Sequence, residues 1–260
     1  MEINNRASAL IVQKQYAQGI EKLQKGLGQL RALLLQMPGG NSSDISCDSL
    51  DTWMYPATEA LRDGGVGCGP TASFFVYRRP LVIPSSKIRS ARANTENSSA
   101  TGEHTSLLVA MLFNYGLACH LSYIDHKGRS NYRSQFDFDL LQRASQMYDL
   151  AITNFRRLAV SEATAEADRN VVSSNIQFFR AAMNNLAICE QTRYVLVASR
   201  NESFPLGIPF NKGFERLREL LRRHPPSSND APERALWSCY MSNTLRVINS
   251  FQSNYCAAAC

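Results

Sequence analysis

Cysteine and histidine are the first side chains considered for chemistry, because a thiol next to an imidazole can act as a nucleophile with its base. Cys119 and His120 are adjacent in "FNYGLACH", residues 113–120, with His104 before them and His126 after them. A zinc site requires four converging ligands in a recognisable spacing, which these residues lack. Cys119 falls on the inner stripe of a helical pattern, which is typical of a buried thiol. The sequence therefore predicts no catalytic residue, no metal site and no bound cofactor.

A glycine-rich stretch, "GGVGCG" at residues 64–69, has the composition of a phosphate-binding turn. Such a turn follows a strand and opens a helix. Here the helix-like "ATEALRD" precedes it and "PTASFF" follows it. A flexible loop explains this stretch better.

Two basic strips could contact the phosphates of a nucleic acid. One lies in "RRPLVIPSSKIRSAR" and the other in "RLRELLRRH", and their cations are Arg78, Arg79, Lys87, Arg89, Arg92, Arg216, Arg218, Arg222 and Arg223. The second strip is better explained as the solvated face of a helix that packs on Leu217, Leu220 and Leu221. Nucleic-acid contact is therefore kept only as an alternative.

Composition indicates a folded protein of the cell interior. Apolar residues make up 44% and charged residues 19% of the 260 residues, and the formal net charge is +6, a modest excess that favours acidic partners. The start, "MEINNRASAL", lacks a secretory apolar core, and no run is expected to approach the ~20 apolar residues of a membrane span. The seven scattered cysteines include no Cys-x-x-Cys pair, as expected of reduced thiols. We expect a soluble, cytoplasmic protein with no membrane contact; the composition is equally compatible with the nucleus.

Helical periodicity predicts an all-α protein with a loop-rich insert. A helical pair is expected in residues 1–37, and a partly disordered insert rich in Ser, Gly and Pro in residues 38–103. A helical repeat body follows in residues 104–252, with a break in the helical pattern after Ile124, and residues 253–260 form a tail.

The insert contains one apolar stretch, "SFFVYRRPLVIP", residues 73–84. Its aromatic and β-branched residues favour extended backbone, whereas Pro80 and Pro84 are incompatible with a central strand. We expect an edge strand or an extended segment docked on the surface.

Gly116 requires an explanation, because a glycine inside a helix costs roughly 0.5–1 kcal/mol relative to alanine. Leu112, Tyr115, Gly116 and Cys119 follow helical spacing, and Ala144, Tyr148 and Ala151 repeat it in a later helix. Small residues bracketing a large one let two helices approach closely. The pattern therefore predicts a tight crossing of the two helices at Gly116.

These spacings resemble the tetratricopeptide repeat, a helix-turn-helix unit with small residues at its crossing. "NNLAIC" repeats the pattern, placing Asn185 on Asn114, Leu186 on Tyr115 and Ala187 on Gly116. The order of segments along the chain is similar to that of tetratricopeptide-like proteins found in diatoms. The resemblance implies degenerate helix-turn-helix repeats with a concave groove.

The resemblance also implies which residues line that groove. Mapped from Gly116 and Ala187, the partner-binding candidates are Phe113, Asn114, Leu117, His120, Asn184, Asn185, Ile188 and Gln191. Repeats that grip a terminal carboxylate use Lys and Arg in this groove, and the matching positions here lack lysine. A mixed apolar and amide groove suits an extended or helical peptide.

The function expected from these patterns is a protein–protein interaction scaffold, not an enzyme, that binds a peptide or a partner helix of unknown identity in the groove. The alternative is a helical-repeat RNA-binding protein that uses the basic strips. A third class, an enzyme with a buried cysteine, would require a thiolate reactive near neutral pH.

Overall fold

A computed structural model describes residues 1–36, 50, 54, 59, 74–84, 100–129, 135–160, 175–198, 211–226 and 229–258. The expectation of an all-α protein is confirmed within these residues, which contain seven helices and no strand. The helices are α1 (Glu2–Val12), α2 (Tyr16–Gln36), α3 (Ala100–Arg129), α4 (Gln135–Val160), α5 (Ile176–Ala198), α6 (Asn211–Arg223) and α7 (Ala231–Ala258).

The predicted helical pair at the start of the chain is present as α1 and α2. Two other boundaries differ from expectation. Helix α3 continues past Ile124 to Arg129, and α7 includes most of the predicted tail. Polar residues such as Asp125 and Lys127 can extend a helix whose preceding turns are buried, because most helical stability in proteins comes from packing.

The chain divides into two compact units, each of them discontinuous in sequence. Unit 1 comprises Met1–Tyr55 and Arg79–Phe179, and unit 2 comprises Pro56–Arg78 and Arg180–Cys260. Most of the expected insert, including the "GGVGCG" stretch, lies outside the described residues. The predicted extent of the insert and of the repeat body therefore stays a prediction.

Helix α3 is the central element of unit 1 and packs against α1, α2 and α4. Residues 109–121 are all buried, which matches a helix that is apolar on every face. Its Ser106–Lys127 stretch has a mean hydropathy of 1.6 and could cross a membrane by length and composition, contrary to our expectation that no such run exists. Because 83% of its most apolar window is buried inside the protein, α3 is equally explained as a core helix.

The predicted tight crossing at Gly116 is present between α3 and α4. A Cβ atom on Gly116 would lie 3.1 Å from the carbonyl oxygen of Ala144 and 3.1 Å from Cδ1 of Tyr148. Ala144, Tyr148 and Ala151 are each fully buried beneath it. The missing Cβ is therefore what allows the two helices to approach.

Two further helix pairs cross at small residues. In unit 1, a Cβ on Gly19 of α2 would lie 3.6 Å from the carbonyl oxygen of Ala7 in α1. In unit 2, a Cβ on Gly213 of α6 would lie 3.2 Å from both Cα and Cβ of Ala187 in α5. Each crossing brings one small residue of the first helix next to one small residue of the second.

Buried polar contacts link the helices of unit 2. Arg180 of α5 is 1% exposed; its guanidinium donates to Glu233 of α7 at 2.8 Å and to the carbonyl of His224, just after α6. Trp237 of α7 donates its indole N–H to the carbonyl of Leu221 at 3.2 Å. These contacts fix the end of α6 against α5 and α7.

Candidate functional site

Residues 74–84 form no regular secondary structure, and they are largely buried rather than docked on the surface. Phe75, Val76, Tyr77, Leu81 and Ile83 are each at most 5% exposed. No strand pairs with them among the described residues, yet buried backbone N–H and C=O groups need hydrogen-bond partners. Side chains from the helices supply those partners, as follows.

In unit 1 two asparagines each bind one residue of this segment through both of its backbone groups. Asn114 of α3 accepts the N–H of Leu81 at its Oδ1 (2.7 Å) and donates from its Nδ2 to the carbonyl of Leu81 (2.9 Å). Asn5 of α1 makes the same pair of bonds to Ile83, at 2.9 and 2.8 Å. We call each such asparagine an amide clamp.

Two neighbouring polar side chains on α1 support the Asn114 clamp. Nδ2 of Asn114 lies 2.9 Å from Oδ1 of Asn4 and 3.1 Å from Oγ of Ser8. Asn4 and Ser8 also bond to the carbonyl of Leu81, at 3.0 and 3.1 Å. Because Asn4, Ser8 and Asn114 are each at most 1% exposed, the cluster is a buried, hydrogen-bonded polar network.

Unit 2 contains two amide clamps of the same geometry. Asn185 of α5 binds the N–H and carbonyl of Tyr77 at 3.0 and 2.9 Å. Asn243 of α7 binds those of Phe75 at 2.9 and 2.8 Å. Asn184 supports the second clamp, donating to the carbonyl of Phe75 at 2.9 Å and accepting from Asn243 at 2.7 Å.

Within each unit the clamped residues share one register. An extended residue directs its N–H and C=O to the same edge of the chain, and the next residue directs its own to the opposite edge. The clamped residues are separated by one position in both units, Phe75 and Tyr77 in unit 2 and Leu81 and Ile83 in unit 1. Pro80 and Pro84, which have no N–H, fall in the other register. The prolines that forbid a central strand are thus compatible with the clamps.

Three clamps also occupy the same position relative to a helix crossing. Asn5 precedes Ala7 by two residues, and Asn114 precedes Gly116 and Asn185 precedes Ala187 by the same interval. Two residues correspond to a rotation of roughly 200° around an α-helix. The small residue therefore faces the partner helix while the asparagine points the other way, towards the extended segment.

The structure separates the predicted groove residues into two groups. Asn114, Asn184 and Asn185 contact the extended segment. Phe113 and His120 lie against Tyr148 of α4, with ring centroids 5.6 and 6.3 Å apart. The remaining predicted groove residues are buried or half-buried, and they are Leu117, Ile188 and Gln191.

The predicted repeat positions all lie in the interior. The fraction exposed is at most 9% for Leu112, Tyr115, Cys119, Ala144, Tyr148, Ala151, Leu186 and Ala187, and Gly116 is also buried. The hydroxyl of Tyr115 accepts a hydrogen bond from Gln24 of α2 at 2.7 Å. Tyr115 therefore joins α3 to α2.

Sequence reasoning missed four residues of the site: Asn4, Asn5, Ser8 and Asn243. Asn5 had a detectable signal, because Asn5-Arg6-Ala7 repeats the Asn-x-small pattern of Asn114 and Asn185. Asn243 had none, because a leucine stands two residues after it.

One acid–base pair lies in the described part of the chain, where Nδ1 of His126 is 2.8 Å from Oδ1 of the buried Asp137. No cluster of three or more His, Cys, Asp or Glu that could hold a metal occurs there. Burial raises the pKa of the Cys119 thiol to about 12, so this thiol is protonated at neutral pH. Thiolate chemistry at Cys119 is therefore disfavoured near pH 7.

The second basic strip forms the outer face of α6. Arg216, Arg218, Arg222 and Arg223 are exposed there, and Leu217, Leu220 and Leu221 are buried beneath them, as the sequence predicted. Lys87, Arg89 and Arg92 of the first strip lie outside the described residues, and its Arg78 and Arg79 are half-buried.

The arrangement is suited to binding main chain, because each clamp offers one acceptor and one donor to a residue in extended conformation. The clamp bonds described above all go to backbone atoms of the segment, so they act on backbone geometry rather than residue identity. In comparisons with protein-family models, curated proteins and solved structures, nothing matches this chain.

Proposed function

We propose that the protein is a protein–protein interaction module that holds an extended peptide by its backbone. The observation that carries this proposal is the pair of amide clamps in each unit, Asn5 and Asn114 in unit 1 and Asn185 and Asn243 in unit 2, each bonded to both backbone groups of one extended residue. Recognition of an extended peptide through its main chain, with side-chain pockets for alternate residues, is a recurrent mode of binding.

We propose further that the helix pairs are degenerate tetratricopeptide-like units. Support comes from the three crossings, Ala7 with Gly19, Gly116 with Ala144, and Ala187 with Gly213. Each first helix carries its clamp two residues before the crossing. A repeated unit of this kind supplies one clamp per helix pair, and α7 adds the last.

Selectivity then comes from the side chains of the peptide. Phe75 packs edge-on against Tyr240 with ring centroids 5.4 Å apart, and Phe74 stacks on Phe214 at 5.8 Å. In unit 1 the clamped Leu81 and Ile83 are buried. The expected ligand is therefore an extended peptide with apolar residues at the clamped positions.

The test uses a fluorescent peptide of residues 74–84, FFVYRRPLVIP, and the full chain carrying Tyr77→Ser and Leu81→Ser. We call this chain the weakened-segment variant, because its own segment loses two buried side chains. Fluorescence anisotropy should show binding that drops about 10-fold or more when the Leu81 nitrogen of the peptide is methylated, because methylation removes the donor to Asn114.

Methylation of the Val82 nitrogen is the matched control and should matter less, since Val82 lies in the other register. Adding Asn114→Ala to the variant should weaken binding of the unmethylated peptide as well. Absence of binding to a variant that keeps its helical circular dichroism, or equal effects of the two methylations, would refute recognition by amide clamps.

RNA binding remains the second candidate because α6 exposes Lys212, Arg216, Arg218, Arg222 and Arg223 on its surface. Glu215 and Glu219 interrupt this face, and Glu219 accepts from Arg223 at 2.7 Å, which reduces its positive potential. Retention on single-stranded RNA that falls steeply with salt, and that Arg216→Ala/Arg218→Ala abolishes, would favour this candidate.

A further inference from the structure

We propose that residues 74–78 in unit 2 and residues 79–83 in unit 1 are exchangeable occupants of the amide clamps of their own unit, and that the physiological ligand is an internal, extended segment of another protein that takes their place. This inference rests on the proposed function and adds two claims. One is that the chain competes with its own ligand, and the other specifies the chemistry of that ligand.

Exchange is chemically feasible because the clamps bind only what every non-proline residue possesses. Each of the four clamps accepts one backbone N–H and donates to one carbonyl. A foreign segment in the same register offers the same groups. Replacement therefore leaves no clamp unsatisfied, whereas departure without replacement would leave buried amides without partners.

The surroundings of the clamps define the ligand. The side chains that assist Asn114 and Asn243 are Asn4, Ser8 and Asn184, all of them neutral. The clamps on Leu81 and Phe75 bond to those backbone groups through neutral amides, whereas a terminal carboxylate is normally recognised by Lys or Arg. The ligand is therefore an internal stretch of chain and not a terminus.

The register also defines the sequence pattern of the ligand. In each unit the clamps hold two residues separated by one, Phe75 and Tyr77 in unit 2 and Leu81 and Ile83 in unit 1. All four side chains are buried, at most 5% exposed. The matching pattern is apolar-x-apolar, and proline is excluded from the clamped positions because it lacks the N–H.

The experiment measures binding of the fluorescent peptide FFVYRRPLVIP to the full-length wild-type chain and to the weakened-segment variant. In wild type the chain's own segment occupies the clamps in most molecules, and the apparent affinity for the peptide is reduced in proportion to the small fraction whose clamps are open. The variant should have a larger open fraction and should therefore bind the peptide about 10-fold tighter or more. The full-length Leu30→Ala variant, which is destabilised in α2 away from the clamps, should bind no tighter than wild type.

Hydrogen exchange of the wild-type chain provides a second readout that does not depend on the variant folding. Excess peptide should increase exchange in the proteolytic fragments that contain residues 74–83, because the chain's own segment leaves the clamps. Equal affinity for the two chains, with this exchange unchanged, would show that the peptide binds without displacing the segment. That result would overturn the exchange of the segment and leave the proposed peptide binding intact.

Two other outcomes have separate meanings. Failure of the peptide to bind the folded variant would overturn the proposed peptide-binding function itself. A concentration-dependent dimer of the wild-type chain that the peptide dissociates, detected by light scattering, would identify the occupant as the segment of a second copy and would overturn the assignment to another protein.

Discussion

Asn114 and Leu81 are joined by two hydrogen bonds of opposite direction, 2.7 Å from the Leu81 nitrogen to Oδ1 and 2.9 Å from Nδ2 to the Leu81 carbonyl oxygen. An amide side chain offers both an acceptor and a donor on one planar group at neutral pH, whereas a carboxyl group of similar size offers a donor only when it is protonated. Asn114 is fully buried, so any replacement must satisfy the same atoms without water. This relationship makes Asn114 a sensitive position for testing the site.

Asn114→Asp should destabilise the protein strongly at pH 7. A carboxylate can accept the Leu81 N–H but cannot donate to the carbonyl, and burial deprives its charge of water, so the free energy of unfolding should fall by about 3 kcal/mol. Burial would raise the pKa of the introduced carboxyl above its unfolded value of about 3.9. The folded state then binds the extra proton, so the loss should shrink as pH falls towards 4 and grow as pH rises.

Urea unfolding at pH 4.5 and pH 7.5 measures this difference. Asn154→Asp on the outer side of α4 is the control, because Asn154 bonds to the Leu150 carbonyl one turn away on the exposed surface. That variant should change stability little at either pH. A small, pH-independent effect of Asn114→Asp would contradict the burial of the clamp.

Gly116→Leu should lower the free energy of unfolding by about 1–3 kcal/mol, because the added side chain must push α3 away from Ala144 and Tyr148. Gly28 in α2 is the matched control, since a Cβ there would have no neighbouring atom within 4 Å. Gly28→Ala should raise stability by about 0.5–1 kcal/mol through helix propensity alone. Midpoints and slopes of urea unfolding give both values, and stabilisation by Gly116→Leu would disprove the tight crossing.

Cys119 should resist alkylation in the folded protein and should make stability depend on alkaline pH. Burial, opposed in part by the charge of Arg143, raises its pKa to about 12, whereas an unfolded cysteine titrates near about 8.5. The folded state therefore retains a proton that the unfolded state loses. This contribution to stability is present in full below about pH 8.5 and declines as the pH rises towards 12.

Iodoacetamide labelling at pH 7.5, followed by mass spectrometry, should leave Cys119 unmodified until urea unfolds the chain. The half-exposed Cys239 provides an internal comparison of accessibility. In urea titrations between pH 8.5 and 10.5, Cys119→Ala should lose stability with pH less steeply than wild type. Rapid labelling of native Cys119 would instead support a reactive thiolate.

Lys14→Gly should stabilise the link between α1 and α2. Lys14 has a φ of 61°, and the bonds from its nitrogen to Ile11 (3.0 Å) and from the Gln15 nitrogen to Leu10 (2.8 Å) close a Schellman motif. Glycine adopts this conformation without Cβ strain, so we expect a gain of roughly 0.5–1 kcal/mol by thermal or urea unfolding. Lys14→Ala, which keeps the Cβ, should bring no such gain.

The sequence by itself determined the local features of the protein. Apolar periodicity predicted the all-α class and the α1–α2 pair, because the 3.6-residue period depends only on residues that are close together in sequence. The close approach at Gly116 was also predictable, since small residues at helical spacing leave few other ways to pack. Asn114 and Asn185 were predicted as groove residues from the resemblance to tetratricopeptide repeats.

Only the tertiary structure decided what those amides bind. The backbone N–H of Phe75 bonds to Asn243, which is 168 residues away in sequence, and the carbonyl of Leu81 accepts from Asn4, 77 residues away. No local sequence pattern can predict such pairs. The extended segment was expected at an edge or on the surface because its prolines exclude a central strand. It is buried instead, because asparagine side chains replace the missing strand, and such partners depend on where separate helices place them in space.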